Sequence, residues 1–220
     1  MQNMFITRAT LLLPPAIAGD VSAEHRLVHS LFSREGVRDF IYAADGVSDG
    51  YPRYLVVSDK EPEKSSIFST QTRPYDLEIE EGSEFRFELT ANPVVARGRR
   101  GADGKKKGHL IDVIMDRLHR VPAGLRAQKR GEAVQSAGYD WLSKQGERHG
   151  FKIEEHRLDV SGYEQVEISR DGAKPIRQSR IRYSGVLTVT DTEAFRLAVV
   201  RGVGRGRAWG CGLLKLIRIN

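Results

Sequence analysis

The chain has 220 residues, of which 40% are hydrophobic and 29% charged, a balance that predicts a folded globular protein rather than a disordered one. Its net charge of +6 favours a polyanionic partner such as nucleic acid or an anionic membrane surface, the alternative being a basic protein without such a partner. The single cysteine, Cys211, excludes an intrachain disulfide and a zinc site built from several cysteines. It also suits a reducing compartment, and we expect a cytoplasmic protein.

The first half of the chain predicts the order β-α-β-β followed by an edge strand, which indicates a ferredoxin-like unit. A helix is expected from a cap at Asp20 or Ser22 to about Arg34, because apolar residues recur there at helical spacing. The predicted strands are 5–13, 37–44, 53–58 and 65–70. No apolar run approaches the ~18 residues that span a membrane, so no membrane partner is expected.

The second half also mixes strands and helices. An alternating strand at 85–95 is followed by a basic, glycine-rich loop at 97–108 and an apolar-periodic run at 110–122. Two hairpin arms, 163–168 and 180–189, flank a turn at Asp171-Gly172. The remaining predicted elements are helices at 137–148 and 191–200 and strands at 151–158 and 213–219.

Positive charge is concentrated in one stretch. Residues 94–130 contain eleven Lys or Arg and three Asp, a local charge of +8 against +6 for the whole chain. Concentrated positive charge indicates binding to phosphates, although a solvated loop is the alternative. The RNA-binding residues expected here are Arg97, Arg99, Arg100, Lys105, Lys106 and Lys107.

The predicted hairpin around Asp171 carries a second basic group. Arg180 and Arg182 would point to one face of a strand, and a ribbon with arginines can lie along a nucleic-acid groove. Edge-strand charges that prevent aggregation are the alternative. The candidate phosphate contacts are Arg170, Lys174, Arg177, Arg180 and Arg182.

A glycine-rich segment, RGVGRGRAWGCGLL, occupies residues 201–214. Glycine lets backbone N–H groups approach a phosphate, so Gly202 and Gly204, with Arg205 and Arg207 beside them, are candidate RNA contacts. The segment lacks the Gly-Lys-Ser/Thr of a nucleotide-binding loop and follows a predicted helix rather than a strand. We therefore expect no nucleotide cofactor.

Two histidines lie one turn apart on the first predicted helix. His25 and His29 share an edge of its apolar face, with Ser22 one turn earlier on the same edge. Histidine suits general acid–base chemistry because its ordinary pKa is near neutrality. The alternative is that the two histidines are structural residues that only pack at the helix edge. A metal site is disfavoured because no nearby carboxylate supplies an obvious third ligand.

Three separated segments resemble the CasE family of CRISPR repeat endoribonucleases. RGVGRGRAWGCGLLKL resembles the family's G-x-G-x-x-x-x-x-G-x-G-L-L signature, FELTANP its F-x-L-x-A-N-P segment, and EHRLVHSLF its histidine-bearing helix. The segments occur in the family's order, while residues 97–180 match only in character. The resemblance implies an α+β fold of two tandem ferredoxin-like (RRM-like) domains with antiparallel sheets, which we expect at 1–80 and 84–220.

The resemblance also implies a function and roles for residues. It implies metal-independent cleavage at the base of a CRISPR repeat stem-loop, without a cofactor, in a protein that joins the other subunits of a Cascade complex. His25 aligns with the family's catalytic histidine, and Arg26 beside it is a candidate phosphate contact. Ser22 and Ser30 stand where some relatives have tyrosine and lysine, so those two roles are not carried over.

Three hypotheses remain open at the level of sequence. His29 is the nearest titratable group that could share proton transfer with His25, although it could instead pack under the helix while Ser22 caps it. Ser22 itself is counted among the RNA-contacting residues. The chain could also be a noncatalytic RNA-binding subunit of a ribonucleoprotein complex or, more weakly, a basic scaffold protein.

Overall fold

The structure is a computed structural model that describes residues 4–13, 20–32, 39–100, 106–170 and 172–219. Within those residues the strands form two four-stranded antiparallel sheets and one two-stranded hairpin. Helices are packed with the sheets in both halves of the chain. The predicted α+β class with tandem ferredoxin-like sheets is therefore confirmed.

The first sheet is built from the N-terminal third of the chain. Its elements are β1 (Phe5–Leu11), α1 (Val21–His29), β2 (Phe40–Ser48), β3 (Tyr51–Ser58) and β4 (Phe68–Pro74). The strand order is β2-β3-β1-β4, with antiparallel neighbours throughout. The edge strand is thus β4, as expected, although it lies a few residues beyond the predicted 65–70.

The helix α1 packs on this sheet through its apolar residues. Phe32, just beyond the helix, is buried and stacks on Phe40 of β2 with ring centroids 4.4 Å apart. The helix ends at His29, earlier than predicted, and the Ser30 hydroxyl then donates to the Leu27 carbonyl at 2.7 Å. The apolar spacing continues past the helix because the following turn is buried too.

The second sheet repeats the ferredoxin-like plan in full. The strand order is β10-β5-β9-β8, and the chain passes through it as a β-α-β-β-α-β unit with one hairpin inserted. Its elements are β5 (Glu84–Ala91), β6 (Val94–Arg100), β7 (Lys106–Asp112), α2 (Val113–His119), α3 (Arg130–His149), β8 (Phe151–Arg170), β9 (Ala173–Val189), α4 (Thr192–Arg201) and β10 (Leu214–Arg218).

Local sequence explains most of these elements. Phe85, Phe87 and Leu89 alternate along β5 and are buried, as the strand pattern predicts. Asp191 caps α4 by accepting hydrogen bonds from the backbone N–H groups of its first turn. Gly150 ends α3 in the left-handed region, with φ of 70°.

The predicted basic loop at 97–108 is wrong as a loop. Its flanks form β6 and β7, which pair in register, for example Arg97 with His109. This hairpin is held by backbone pairing rather than by an alternation of apolar and polar residues, so the hydrophobic pattern gave no sign of two strands. Residues 101–105 lie outside the described residues.

The strands predicted at 151–158, 163–168 and 180–189 belong to one long hairpin, β8 and β9. Irregularities in its register occur between Ile153 and Leu158 and between Ser161 and Glu164. Such bulges bend a strand and interrupt its period-2 pattern, which explains why the sequence predicted separate pieces. The predicted turn residue Asp171 lies outside the described residues.

The two halves contact each other beside the C-terminal strand. Leu213 is buried in a cluster with Ile41, Ala43 and Val57 from the first sheet. Lys215 donates to Asp45 at 2.9 Å across the same contact. The predicted boundary between 80 and 84 stays a prediction. Among the described helices, none is long and apolar enough to cross a membrane.

Candidate active site

The helix α1 presents both candidate histidines near its C-terminal end. Asp20 caps the helix, and its carboxylate accepts from the N–H of Ser22 at 2.9 Å and of Ala23 at 3.1 Å. His25 and His29 are half-buried and lie one turn apart, whereas Arg26, which follows His25 on the helix, is exposed. The two histidines therefore lie together at the edge of the buried face of α1, as predicted.

The His25 ring lies in a group of aromatic side chains. Its centroid is 4.5 Å from that of Trp209 and 5.3 Å from that of His29. His29 in turn meets Phe40 edge to face at 5.1 Å. The Nδ1 atom of His25 is buried.

Trp209 is carried by the glycine-rich segment. A 3-10 turn, Arg207–Trp209, lies between Gly206 and Gly210, both in the left-handed region with φ of 79° and 74°. The segment is closed by backbone hydrogen bonds from Val203 N–H to the Gly212 carbonyl at 2.8 Å and from Gly212 N–H to the Thr90 carbonyl at 2.7 Å. These bonds close the segment on itself and join it to β5.

Gly202 and Gly204 were predicted to approach phosphate, but the structure gives both a packing role. Gly202 is buried, and a Cβ there would lie 2.1 Å from the Cδ1 of Ile41. A Cβ on the half-buried Gly204 would lie 3.0 Å from the Trp141 indole. Positive φ and close packing therefore account for these glycines within the protein, and their predicted contacts with RNA stay predictions.

Ser22 joins the two halves rather than facing solvent. It is only 5% exposed, and its hydroxyl donates to the Ser169 carbonyl of β8 at 2.8 Å. The Ser22 hydroxyl is therefore already used in a contact within the protein, and its predicted contact with RNA stays a prediction. Since Asp20 provides the cap, the alternative that Ser22 is the capping residue is wrong.

Arg180 lies under the glycine-rich segment. Its Nη2 donates to the Trp209 carbonyl at 2.6 Å, and the side chain is half-buried. The next outward residue on β9, Arg182, is exposed and packs beside Gly162 of β8. The two arginines share a face, as predicted, and Arg182 is the more exposed of the two.

Buried titratable groups behind the site are held neutral. Burial, and to a smaller degree the Glu24 carboxylate, raises the pKa of the Tyr42 phenol above its ordinary value. Burial also raises the pKa of the Cys211 thiol to about 11, and Gln178 donates to its sulfur at 3.0 Å. Neither group is therefore suited to act as a base or nucleophile near neutral pH.

The remaining basic candidates lie on two hairpins and on the glycine-rich segment. Arg97, Lys174, Arg177, Arg205 and Arg207 are exposed. Several already have partners: Arg97 pairs with Asp116 at 3.0 Å and Arg177 with Glu167 at 3.7 Å. Lys105 lies outside the described residues, as do the side chains of Arg99, Arg100, Lys106, Lys107 and Arg170.

The hypothesis that His25 and His29 ligate a metal finds no third ligand. Within the described residues, no group of three or more His, Cys, Asp or Glu side chains could hold a metal ion. The pair is arranged as two neighbouring rings among aromatic side chains. That arrangement suits proton transfer to or from a ligand at the Nε2 side of His25.

Residues 4–218 match a family model described as CRISPR associated protein. The chain belongs to this family. The match spans nearly the whole chain, so it includes α1, the glycine-rich segment and both sheets. The resemblance noted in the sequence is thereby confirmed.

Solved structures of CRISPR-associated proteins share the fold. CRISPR endoribonuclease Cse3 bound to a 19 nt RNA is 22% identical, with a TM-score of 0.67, covering 97% of this chain and 99% of that chain. Cas6e from Escherichia coli is 18% identical, with a TM-score of 0.67 and coverage of 98% and 100%. Thermus thermophilus Cse3, bound to an RNA representing a pre-cleavage complex, is 21% identical, with a TM-score of 0.67 and coverage of 98% and 99%. No curated protein sequence matches the chain.

Sequence reasoning missed Trp209 in this CRISPR-associated chain. The segment was interpreted through its glycines and arginines, and the aromatic residue between them was given no role. A tryptophan in a polar, glycine-rich loop was the available signal, because such a side chain needs a surface to cover. The structure supplies that surface in the imidazole of His25.

Proposed function

We propose that the chain is a metal-independent endoribonuclease that cleaves CRISPR repeat RNA at the base of its stem-loop to produce mature crRNA. The observation that carries the proposal is the placement of His25, half-buried on α1, against the glycine-rich segment of the second half. Membership of the family supports it, as do similar folds in proteins named CRISPR endoribonuclease and bound to RNA.

RNA brings its own nucleophile to this reaction. The 2′-OH attacks the adjacent phosphate, one group removes its proton, and another protonates the departing 5′-oxygen. The His25 imidazole is suited to one of these transfers because the ring is anchored by packing against Trp209 and is only half-buried. The upstream product then ends in a 2′,3′-cyclic phosphate or a 3′-phosphate.

The charge that grows on the phosphate needs donors close to His25. Arg26 follows His25 on the helix and is exposed, so its guanidinium can reach a phosphate bound beside the imidazole. The exposed Arg205 and Arg207 lie on the segment that carries Trp209. Arg26, Arg205 and Arg207 are therefore the candidate donors to the phosphate at the proposed reaction centre.

The second proton-transfer group is proposed to be His29. Its ring meets the His25 ring edge to face at 5.3 Å, and it is half-buried rather than enclosed. Contact with Phe40 at 5.1 Å supports the competing view that His29 packs under the helix. The two views differ in how the rate depends on pH, because two transferring imidazoles give a bell-shaped profile.

A noncatalytic RNA-binding subunit is the second candidate. It is favoured by the two serines that stand where some relatives have tyrosine and lysine. The Ser22 hydroxyl donates to the Ser169 carbonyl at 2.8 Å and the Ser30 hydroxyl to the Leu27 carbonyl at 2.7 Å. Both hydroxyls donate to backbone carbonyls, so neither serine takes over the role of the tyrosine or the lysine that some relatives have there.

The partners in this proposal are the repeat stem-loop and other subunits of a Cascade complex. Similar folds occur in chains described as parts of CRISPR RNA-guided surveillance complexes. We place the reaction in the cytoplasm, which agrees with a single buried cysteine that needs no oxidising compartment.

Incubation of the protein with end-labelled repeat RNA in excess chelator separates these functions. We expect each RNA to be cut once even in excess chelator. The 2′-OH nucleophile and both proton-transfer groups need no metal ion. Products are resolved on a denaturing gel, and binding is followed with the same RNA. Binding without cleavage would establish a noncatalytic RNA-binding subunit. If the protein neither bound nor cleaved the RNA, the basic scaffold protein would be the remaining hypothesis.

Grip on the stem is proposed to come from phosphate contacts of the β6–β7 and β8–β9 hairpins. The deep major groove of A-form RNA hides its base edges from side chains, so phosphates are the accessible targets. Changing Arg97, Arg99 and Arg100 together to Gln should weaken binding and reduce the slope of log K against log salt. The expected reduction is roughly 0.7–0.9 for each phosphate that the variant no longer neutralises.

A matched control removes three charges from another surface. Lys60, Lys64 and Arg73 are exposed on the first half and belong to neither hairpin. Their change to Gln lowers the net charge equally and should leave the salt slope nearly unchanged. Equal slopes for the two triple variants would show that the β6–β7 arginines are only solvated charges.

A further inference from the structure

Trp209 packs against the imidazole of His25, although the proposed reaction gives the indole no chemical step. The centroids are 4.5 Å apart, with the planes inclined at 49°. The Nδ1 atom of His25 is buried on the same ring. A ring covered in this way loses rotamer freedom, because other rotamers would place it where neighbouring atoms already lie. The indole therefore fixes the direction in which Nε2 points.

The turn that carries Trp209 is itself constrained. Its N–H donates to the Gly206 carbonyl at 2.8 Å, which closes the 3-10 turn. The Cys211 N–H donates to the same Gly206 carbonyl at 3.3 Å. The indole thus stands on a backbone whose shape is set by hydrogen bonds on both sides of it.

Arg180 supports this turn from below. Its Nη2 donates to the Trp209 carbonyl at 2.6 Å, a short distance for a charge-assisted hydrogen bond. Its Nε is buried without a hydrogen-bond partner among the described residues. The bond to the Trp209 carbonyl uses one of the five N–H donors of the guanidinium and ties the side chain to the turn. Arg180 therefore holds the turn that carries Trp209.

We propose that Trp209 is a positioning residue for His25, and that Arg180, by holding the Trp209 carbonyl, fixes the turn that brings the indole to the imidazole. The inference rests on the proposed function, in which His25 transfers a proton. It also gives Arg180 a role in supporting the site, which is separate from the phosphate contact predicted for it. Since Arg180 belongs to β9, the hairpin proposed to grip RNA is mechanically joined to the catalytic helix.

The first arm of the test separates rate from affinity. Trp209→Leu should lower the single-turnover rate at saturating RNA by about 10-fold or more, since small misplacements of a catalytic group are costly. The half-saturating RNA concentration should change little, and Trp209→Phe should restore most of the rate. Arg180→Met should lower the rate in the same way, whereas its neighbour Arg182→Met should alter affinity and salt slope instead.

The second arm measures the packing of the two rings in the protein without RNA. Ring currents from the indole shift the His25 ring protons in the NMR spectrum, and His25→Gln identifies those signals. Trp209→Leu should move them towards the values of an unstacked histidine, and Arg180→Met should move them part of the way. Trp209→Phe, with a smaller aromatic ring, should retain part of the shift.

The two arms keep this inference distinct from the proposed function. Unchanged His25 signals together with an unchanged cleavage rate in Trp209→Leu would overturn the positioning role. An effect of Arg180→Met that appears only in affinity and salt slope would return Arg180 to phosphate binding and overturn its part. If the wild-type protein cuts no RNA, the proposed function fails, and the NMR comparison alone then decides whether Trp209 positions His25.

Discussion

His25→Ala is expected to slow single-turnover cleavage of repeat RNA by about 10²-fold or more, as is typical when acid–base catalysis is removed. Binding should survive, because the grip is assigned to arginines and lysines of the hairpins rather than to the imidazole. The measurement is the rate at saturating RNA, with affinity measured separately under the same conditions. The expected signature is therefore a change in rate with little change in affinity.

The matched comparison for His25 is His29, since both lie half-buried on one edge of α1. His29→Gln keeps a polar side chain of similar reach but removes the titratable group. If two imidazoles divide the acid and base roles, this variant should lose one limb of the pH–rate profile. An unchanged profile with folding intact would leave His25 working with Arg26 or backbone donors.

A wild-type rate for His25→Ala would contradict the proposed reaction centre directly. Loss of binding together with rate would instead assign His25 to the structural packing of α1 against Trp209. The folding of each variant is followed through near-ultraviolet circular dichroism, because Trp209 and its neighbours report on the packing. Only a rate effect in a folded, RNA-binding variant supports the catalytic assignment.

The histidine edge of α1 was predictable because it depends on helical periodicity alone. Residues four apart share a face wherever a helix forms, so His25 and His29 could be placed together without tertiary information. What the periodicity could not supply was the second side of the site. Trp209 meets His25 only because the second sheet brings the C-terminal segment to the first helix.

The glycine-rich segment shows the opposite limit. Its composition correctly marked an unusual backbone, since Gly202 and Gly204 both have positive φ. Distant residues also crowd those glycines, because Ile41 and Trp141 lie close to where a Cβ would be. A local pattern indicates that a backbone approaches something closely, but not whether that partner is phosphate or protein.

Charge patterns were also ambiguous in a specific way. Arg180 and Arg182 have the same type, strand and face, so the sequence predicts RNA binding for both. The structure adds a contact that the sequence could not predict, because the Arg180 guanidinium is bonded to the Trp209 carbonyl. The ferredoxin-like plan, by contrast, could be predicted from the order of strands and helices, because each of them is indicated by its own local sequence.

A 2′-deoxy nucleotide immediately upstream of the scissile phosphate is expected to abolish cleavage by the wild-type protein. The 2′-OH is the nucleophile in the proposed reaction, so its removal leaves no internal attacking group, whatever the state of His25. Affinity should remain close to that of the all-ribose RNA, because phosphate contacts are retained. The cleaved position is first located from the product ends of the all-ribose substrate.

Matched substrates with the deoxy nucleotide one position to either side should be cut normally, since the nucleophile is then intact. The uncut deoxy RNA should compete with the all-ribose RNA for binding, which shows that it occupies the site. Normal cleavage at the deoxy position would mean that water or a protein group attacks the phosphate. His25 would then be activating an external nucleophile, and the upstream product could not carry the 2′,3′-cyclic phosphate that internal attack produces.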